Sequence, residues 1–353
     1  MICPLRKLAS IRRVSELVPI PNADRIELAK IDGWQCVCGK GDFQVGDLGV
    51  YFEIDSYLPI EERYEFLRKS SYKKLTDGTE GFRLRSMNFR GVLSQGLLLP
   101  LSKFPELDGR ADLQPGLDLT DLLKVKLFEE PSTLTIEKKG PFPSFIRKTD
   151  QERIQNLPEY FDLYKDLEFE ATEKVDGTST SIFYNNGEFG ICSRNFEIAK
   201  NTQTVQWALC EKLKLEDVLR TLGRNLALQC ELIGNKVQGN PYQLKHQKFM
   251  LFDIYDIDTK RYLGHEERVK FFDSILQSVE NNDNNNLLDH VPIVEKHFKV
   301  FQKYRTIEEI LSASDGKSAV TPAIWREGLV YKAMDASVSF KVVSNKYLLQ
   351  NTK

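Results

Sequence analysis

In the first third of the chain, apolar and polar residues alternate over short stretches. Residues 9–18 and 26–37 are runs rich in β-branched side chains, separated by the turn-forming Pro19-Ile20-Pro21-Asn22-Ala23-Asp24. Gly33-Trp34-Gln35-Cys36-Val37-Cys38 alternates as a half-buried strand does, and Gly46-Asp47 predicts a turn before a strand over 48–54. Short strands at this spacing predict a small barrel or sandwich, because closure removes exposed edges.

The strand pattern returns at residue 167. Residues 167–172 predict a strand that runs straight into Lys174. Residues 179–184 and 189–193 flank Asn185-Asn186-Gly187, and Asn-Gly between two apolar runs predicts a hairpin. Residues 204–222 predict an amphipathic helix carrying Trp207, Leu209, Leu213, Leu215 and Val218, with Gly223 ending it. Strands follow over 226–233 and 249–255, then a helix over 265–280 and a short one near 306–313. Two apolar runs, 328–333 and 338–343, predict the closing strands. Between them, residues 281–286 are five asparagines and one aspartate, which predicts a surface loop. Residues 120–143 mix charge with Pro131, Pro141 and Pro143 and read as a linker. The predicted division is therefore 1–130 and 131–353.

Length agrees: 353 residues suffice for two domains, each with its own core. A net charge of −2 removes any global basic signature, so nucleic-acid binding would need a local patch. Residues 63–90 supply a candidate. Eight cations (Arg63, Arg68, Lys69, Lys73, Lys74, Arg83, Arg85, Arg90) face three acids, with Tyr64, Phe66, Tyr72, Phe82 and Phe89 among them. Cations for phosphates and rings for bases suit an oligonucleotide surface. A solvated basic loop with core aromatics is the other reading. No apolar run could span a bilayer and the N-terminus has no apolar signal region, so a soluble intracellular protein is expected, compartment undefined. The six cysteines (Cys3, Cys36, Cys38, Cys192, Cys210, Cys230) are scattered and expected to be reduced core residues. No pattern suggests zinc.

The chemistry concentrates in Glu173-Lys174-Val175-Asp176-Gly177-Thr178-Ser179. Its Lys-x-Asp-Gly pattern is what covalent nucleotidyl transfer needs: Lys174 as nucleophile, Asp176 as a carboxylate for metal or metal-bound water, Gly177 for close approach. The pattern arises by chance in roughly one in ten chains of this length, so a solvated turn stays open on this stretch alone.

Further motifs follow in order. Lys174-Val175-Asp176-Gly177 resembles motif I of the covalent nucleotidyl transferases, which comprise RNA ligases, DNA ligases and capping enzymes. Ser193-Arg194-Asn195 resembles motif Ia, Cys230-Glu231-Leu232-Ile233-Gly234 motif III, and Leu251-Phe252-Asp253-Ile254-Tyr255 motif IIIa. Glu327-Gly328-Leu329-Val330-Tyr331-Lys332 resembles motif IV, and Ser339-Phe340-Lys341-Val342-Val343 motif V. With residues 19–27, 33–58, 83–100 and 148–157, the resemblance extends over nearly the whole chain to the fifth family of ATP-dependent RNA ligases. DNA ligases and capping enzymes carry an OB domain after motif V, and only twelve residues follow Lys341 here.

This resemblance implies an α+β protein of two domains: an N-terminal OB-type β-barrel and a C-terminal nucleotidyltransferase domain of antiparallel sheets flanked by helices. It implies ATP and a divalent metal, Mg²⁺ or Mn²⁺, and an RNA or RNA-containing duplex partner. A monomer without membrane attachment is expected. Lys174 and Lys341 would be catalytic. Glu173 and Phe252 would sit at the adenine, Arg194 near the ribose, and Arg153 on phosphate. Asp176, Glu231 and Glu327 would hold metal, through water. One departure is Val343, where related RNA ligases often have a second motif V lysine; the next lysine is Lys346. A non-catalytic OB-type RNA- or tRNA-binding protein and a capping-type guanylyltransferase remain the alternatives.

Overall fold

The computed structural model describes residues 6–128, 136–201, 203–279 and 286–352. Cys3, part of the linker and residues 281–285 of the asparagine loop lie outside them. Two compact units emerge: Met1–Thr133 with Asn345–Lys353, and Leu134–Ser344.

In the first unit, Trp34, Cys36 and Cys38 point inward from the strand Trp34–Gly39 while their neighbours lie half-buried, as the alternation predicts. The 9–18 run divides into two strands, Ala9–Arg13 and Glu16–Pro19. Between them Val14 is fully buried and exchanges backbone hydrogen bonds with the Gly46-Asp47 turn, which diverts the chain from one sheet to the next. Ala9–Arg13 pairs with Leu48–Phe52 and that with Leu97–Pro100, while Glu16–Pro19, Ile26–Ile31 and Trp34–Gly39 form a meander. A third sheet contains Lys126–Leu127, Ser56–Leu58, Glu80–Arg83 and Tyr72–Lys74.

These are OB-like sheets, and among the described residues they do not close into one continuous ladder, as the expected barrel would. Side chains span one gap instead: Gln35 Nε2 donates to Leu93 O at 2.6 Å, and Val37 N donates to Ser94 Oγ at 2.9 Å. The basic segment is mixed. Tyr64 and Phe82 are fully buried in the core, and Phe66 is 62% exposed. Helix Asn345–Asn351 belongs to this unit, where Gln95 Nε2 donates to Asn345 Oδ1 at 3.2 Å. It carries Lys346.

The second unit is built on two sheets. One runs Lys138–Pro141, Phe196–Ile198, Glu188–Cys192, Thr178–Asn185, Leu226–Ile233, Lys248–Asp256 and Arg261–Tyr262, with Leu288–His290 parallel to Lys248–Asp256. The other runs Ile293–Phe298, Phe169–Lys174, Gly328–Ala333 and Ser339–Val343. Asn186 and Gly187 both take positive φ, the geometry of the tight hairpin turn their sequence predicts. The expected 204–222 helix breaks into Val205–Lys212 and Leu215–Leu222 at Lys214, whose φ is 52°. Leu213 and Leu215, two residues apart, would face different sides of one helix; the break lets both reach the core. Among the described residues no helix is long and apolar enough to cross a membrane.

Candidate active site

Strand Phe169–Lys174 ends on Lys174, and its partner Gly328–Ala333 begins directly after Glu327. The pairing places Lys174 opposite Gly328, so the lysine and the acid meet: Lys174 Nζ lies 2.6 Å from Glu327 Oε1. Strand Ser339–Val343 pairs on the far side and sets Lys341 opposite Val330. The Thr178–Asn185 strand leaves the motif and pairs with Leu226–Ile233, which sets Ser179 opposite Glu231. Gly177 is required at that crossing: a Cβ there would meet Leu232 O at 2.3 Å.

Lys174, Asp176, Glu231, Glu327 and Lys341 thus line one cavity of about 340 Å³ within the second unit. Glu173, Arg194 and Phe252 line it too, and so do Thr149, Asp150, Gln151, Gln238, Val291 and Lys332, which the motifs did not single out for the site. Arg153 is not among the lining residues, but its backbone bridges to Lys341 and its charge reaches Glu327. The strand carrying Lys341 also holds this segment directly, since Lys341 N donates to Glu152 O at 2.8 Å.

The carboxylates crowd one another. Burial pushes Glu231 from an ordinary 4.5 up to about 8; Glu327 and Asp176 add to the rise, and Lys174 opposes it. Burial also raises Glu327, against the pull of Lys174. Glu327 Oε2 is buried without a hydrogen-bond partner. Among the described residues no three His, Cys, Asp or Glu side chains come close enough to hold an ion directly. A hard divalent cation fits this donor set through its own water, since it would relieve the acid crowding and occupy the free oxygen.

Two further groups have committed partners. The Glu173 carboxylate, 2% exposed, accepts from Ser318 Oγ at 2.5 Å and from Ala319 N at 2.7 Å. Arg194, exposed, donates to Asp150 Oδ1 at 2.7 Å. Phe252, half-buried, lines the cavity, and its ring lies 5.7 Å from Lys332 Nζ. Lys332, on strand Gly328–Ala333, is almost fully buried; it donates to Asp253 Oδ1 at 2.8 Å and to Phe252 O, so it ties the two sheets together beside that ring. Burial lowers its pKa, although Asp253 opposes the shift. A spacing pattern could not reveal this cross-sheet pair.

Comparison with known proteins follows the same lines. An OB-fold domain model matches residues 8–101, and the RNA ligase model matches residues 167–347. No curated protein matches. Among solved structures, an apo mutant of Naegleria gruberi RNA ligase is 43% identical, with 98% of each chain covered and a TM-score of 0.83. A mutant of the same ligase with ATP and Mn is 42% identical over 98% of this chain and 99% of that one, TM-score 0.82. The ligase with PPi has the same identity and coverage, with a TM-score of 0.81.

Proposed function

The chain belongs to the RNA ligase family, and on that premise we propose that it seals 3′-OH/5′-phosphate breaks in RNA, nicks in duplex first, through a lysyl-AMP intermediate. The observation that carries this is the Lys174–Glu327 pair at 2.6 Å inside a cavity also lined by Asp176, Glu231 and Lys341. ATP and Mn accompany the similar ligase, and AMP with Mn and PPi accompany others of its structures. Those are the substrate, transferred group and leaving group of the first step proposed here.

In that step Lys174 Nζ bonds to the α-phosphorus of ATP, and the bond from that phosphorus to the α,β-bridging oxygen breaks, releasing pyrophosphate. Next a 5′-phosphate oxygen of RNA attacks the same phosphorus; the N–P bond breaks and returns the amine. Finally the 3′-hydroxyl oxygen attacks the 5′-phosphorus, AMP leaves, a phosphodiester forms and the hydroxyl proton is lost.

Lys174 must first lose a proton, since only the neutral amine has a lone pair to attack phosphorus. Glu327, at hydrogen-bond distance and raised by burial, is placed to take that proton. Lys341 and Arg153 supply positive charge against the phosphates, and Phe252 a face for the base. A divalent cation held through water by Asp176, Glu231 and Glu327 would neutralise phosphate charge and disfavour the ammonium form of Lys174. The first unit, residues 1–130 in this reading, would contact RNA through exposed Lys69, Lys73 and Arg85, and residues 131–353 would carry out the transfer.

The test uses ATP or GTP labelled at the α-phosphate, with Mn²⁺, and reads label retained on the denatured protein. Label from ATP alone is expected. Label from GTP would favour a capping-type transferase, and none from either would favour a non-catalytic RNA-binding protein.

A further inference from the structure

We propose that Ser318 and Tyr242 are positioning residues for the first step: they close a hydrogen-bonded circuit that holds Lys174 from both sides. This rests on the lysyl-AMP reading. On one side, Glu173 precedes the nucleophile, and its buried carboxylate takes Ser318 Oγ at 2.5 Å and Ala319 N at 2.7 Å. The Ser318 hydroxyl then accepts from Val320 N at 3.1 Å and Thr321 N at 3.2 Å. One donated proton and two occupied lone pairs exhaust what a serine hydroxyl can do, so its orientation is fixed.

The circuit continues through the loop. Thr321 Oγ1 donates to Tyr242 O at 2.9 Å, and Tyr242 Oη accepts from Asp176 N at 2.7 Å. Asp176 lies two residues after Lys174. The backbone on both sides of the nucleophile is therefore anchored to one structure, and neither Ser318 nor Tyr242 lines the cavity.

The same loop delivers Glu327. Arg326 N donates to Gly316 O at 2.9 Å, and Arg326 Nε to Ser314 O at 2.8 Å. Beyond it, Ser344 N donates to Glu327 O at 2.8 Å while Ser344 Oγ donates to Asp315 Oδ1 at 2.6 Å. Loop 315–326 is thus pinned to the lysine strand at one end and to the acid at the other. Ser318 fixes how far Lys174 stands from Glu327, and hence its line to the α-phosphorus. In-line attack is sensitive to such placement: displacement by about 1 Å can cost about 100-fold.

The test is single-turnover adenylylation of the full chain with ATP and Mn²⁺, for wild type, Ser318→Ala, Ser318→Thr and Tyr242→Phe. ATP affinity, read from the concentration dependence, and melting temperature are measured beside it. Ser318→Ala and Tyr242→Phe should lower the maximal rate by about 10- to 100-fold, leave ATP affinity within about threefold, and Ser318→Thr should restore most of the rate. Wild-type rates in both variants, or losses shared equally with ATP affinity, would overturn the proposal. Should Ser318→Ala fail to fold, Tyr242→Phe decides, since it removes one oxygen and preserves the ring. No label on wild type would instead sink the lysyl-AMP reading, and this inference with it.

Discussion

Around residues 63–90, charged side chains meet at the surface. Arg68 binds Glu65 at 2.6 Å and Lys74 binds Glu80 at 3.0 Å. Hydrogen bonding to these cations holds both acids below their usual values. Around Lys174 the acids behave oppositely: Glu231 and Glu327 rise because burial outweighs the neighbouring lysine. Similar residues are used in both regions, and solvent decides the sign. Exposed pairs satisfy themselves in water, whereas the cavity keeps acidic groups that are incompletely neutralised. A charge count along the sequence does not separate the two regions; burial does.

The sharpest way to break this contrast is Lys174→Ala. It should abolish the covalent nucleotide label while leaving the melting temperature close to wild type, since the side chain is partly exposed. Glu327→Ala, which removes the proposed proton acceptor, and Lys341→Ala, which removes a cation facing the phosphates, should each lower single-turnover adenylylation by about 100-fold or more. Phe252→Ala should weaken ATP binding by about tenfold, in keeping with base stacking worth about 1–3 kcal/mol; titration calorimetry reads it.

A pH series sharpens the comparison further. From pH 4.5 to about 8 the folded chain keeps a proton on Glu231 that the unfolded chain has given up. Stability of the nucleotide-free protein should therefore fall as pH rises through that window. Glu231→Gln should flatten the fall, seen as melting temperature against pH. The smallest effect belongs to the surface region. Lys74→Ala should leave the melting temperature unchanged, because solvent already screens its pair with Glu80.

Much of this was legible in the sequence. The strands that carry or adjoin Lys174, Glu231, Phe252, Glu327 and Lys341 follow apolar runs with buried residues; register within each sheet aligns Lys174 with Gly328 and Ser179 with Glu231, while the meeting of the two sheets was not legible. The hairpin at Asn186-Gly187 was equally plain. Other features were hidden for identifiable reasons. Strand Ile293–Phe298 has no fully buried residue, so no apolar pattern marks it. Tyr64, in the short helical turn Glu62–Leu67, and Phe82, on strand Glu80–Arg83, sit among cations yet point into the core, because composition cannot say which face of an element a ring takes. Ser318, Tyr242 and Lys332 make their contacts across 66 to 145 residues, and no local spacing encodes those.

The most direct measurement is peptide mass mapping of protein treated with ATP and Mn²⁺. One AMP on Lys174, lost on acid treatment as a phosphoramidate should be, is the predicted result. AMP on Lys332, on Lys341 or on no lysine at all would contradict the account.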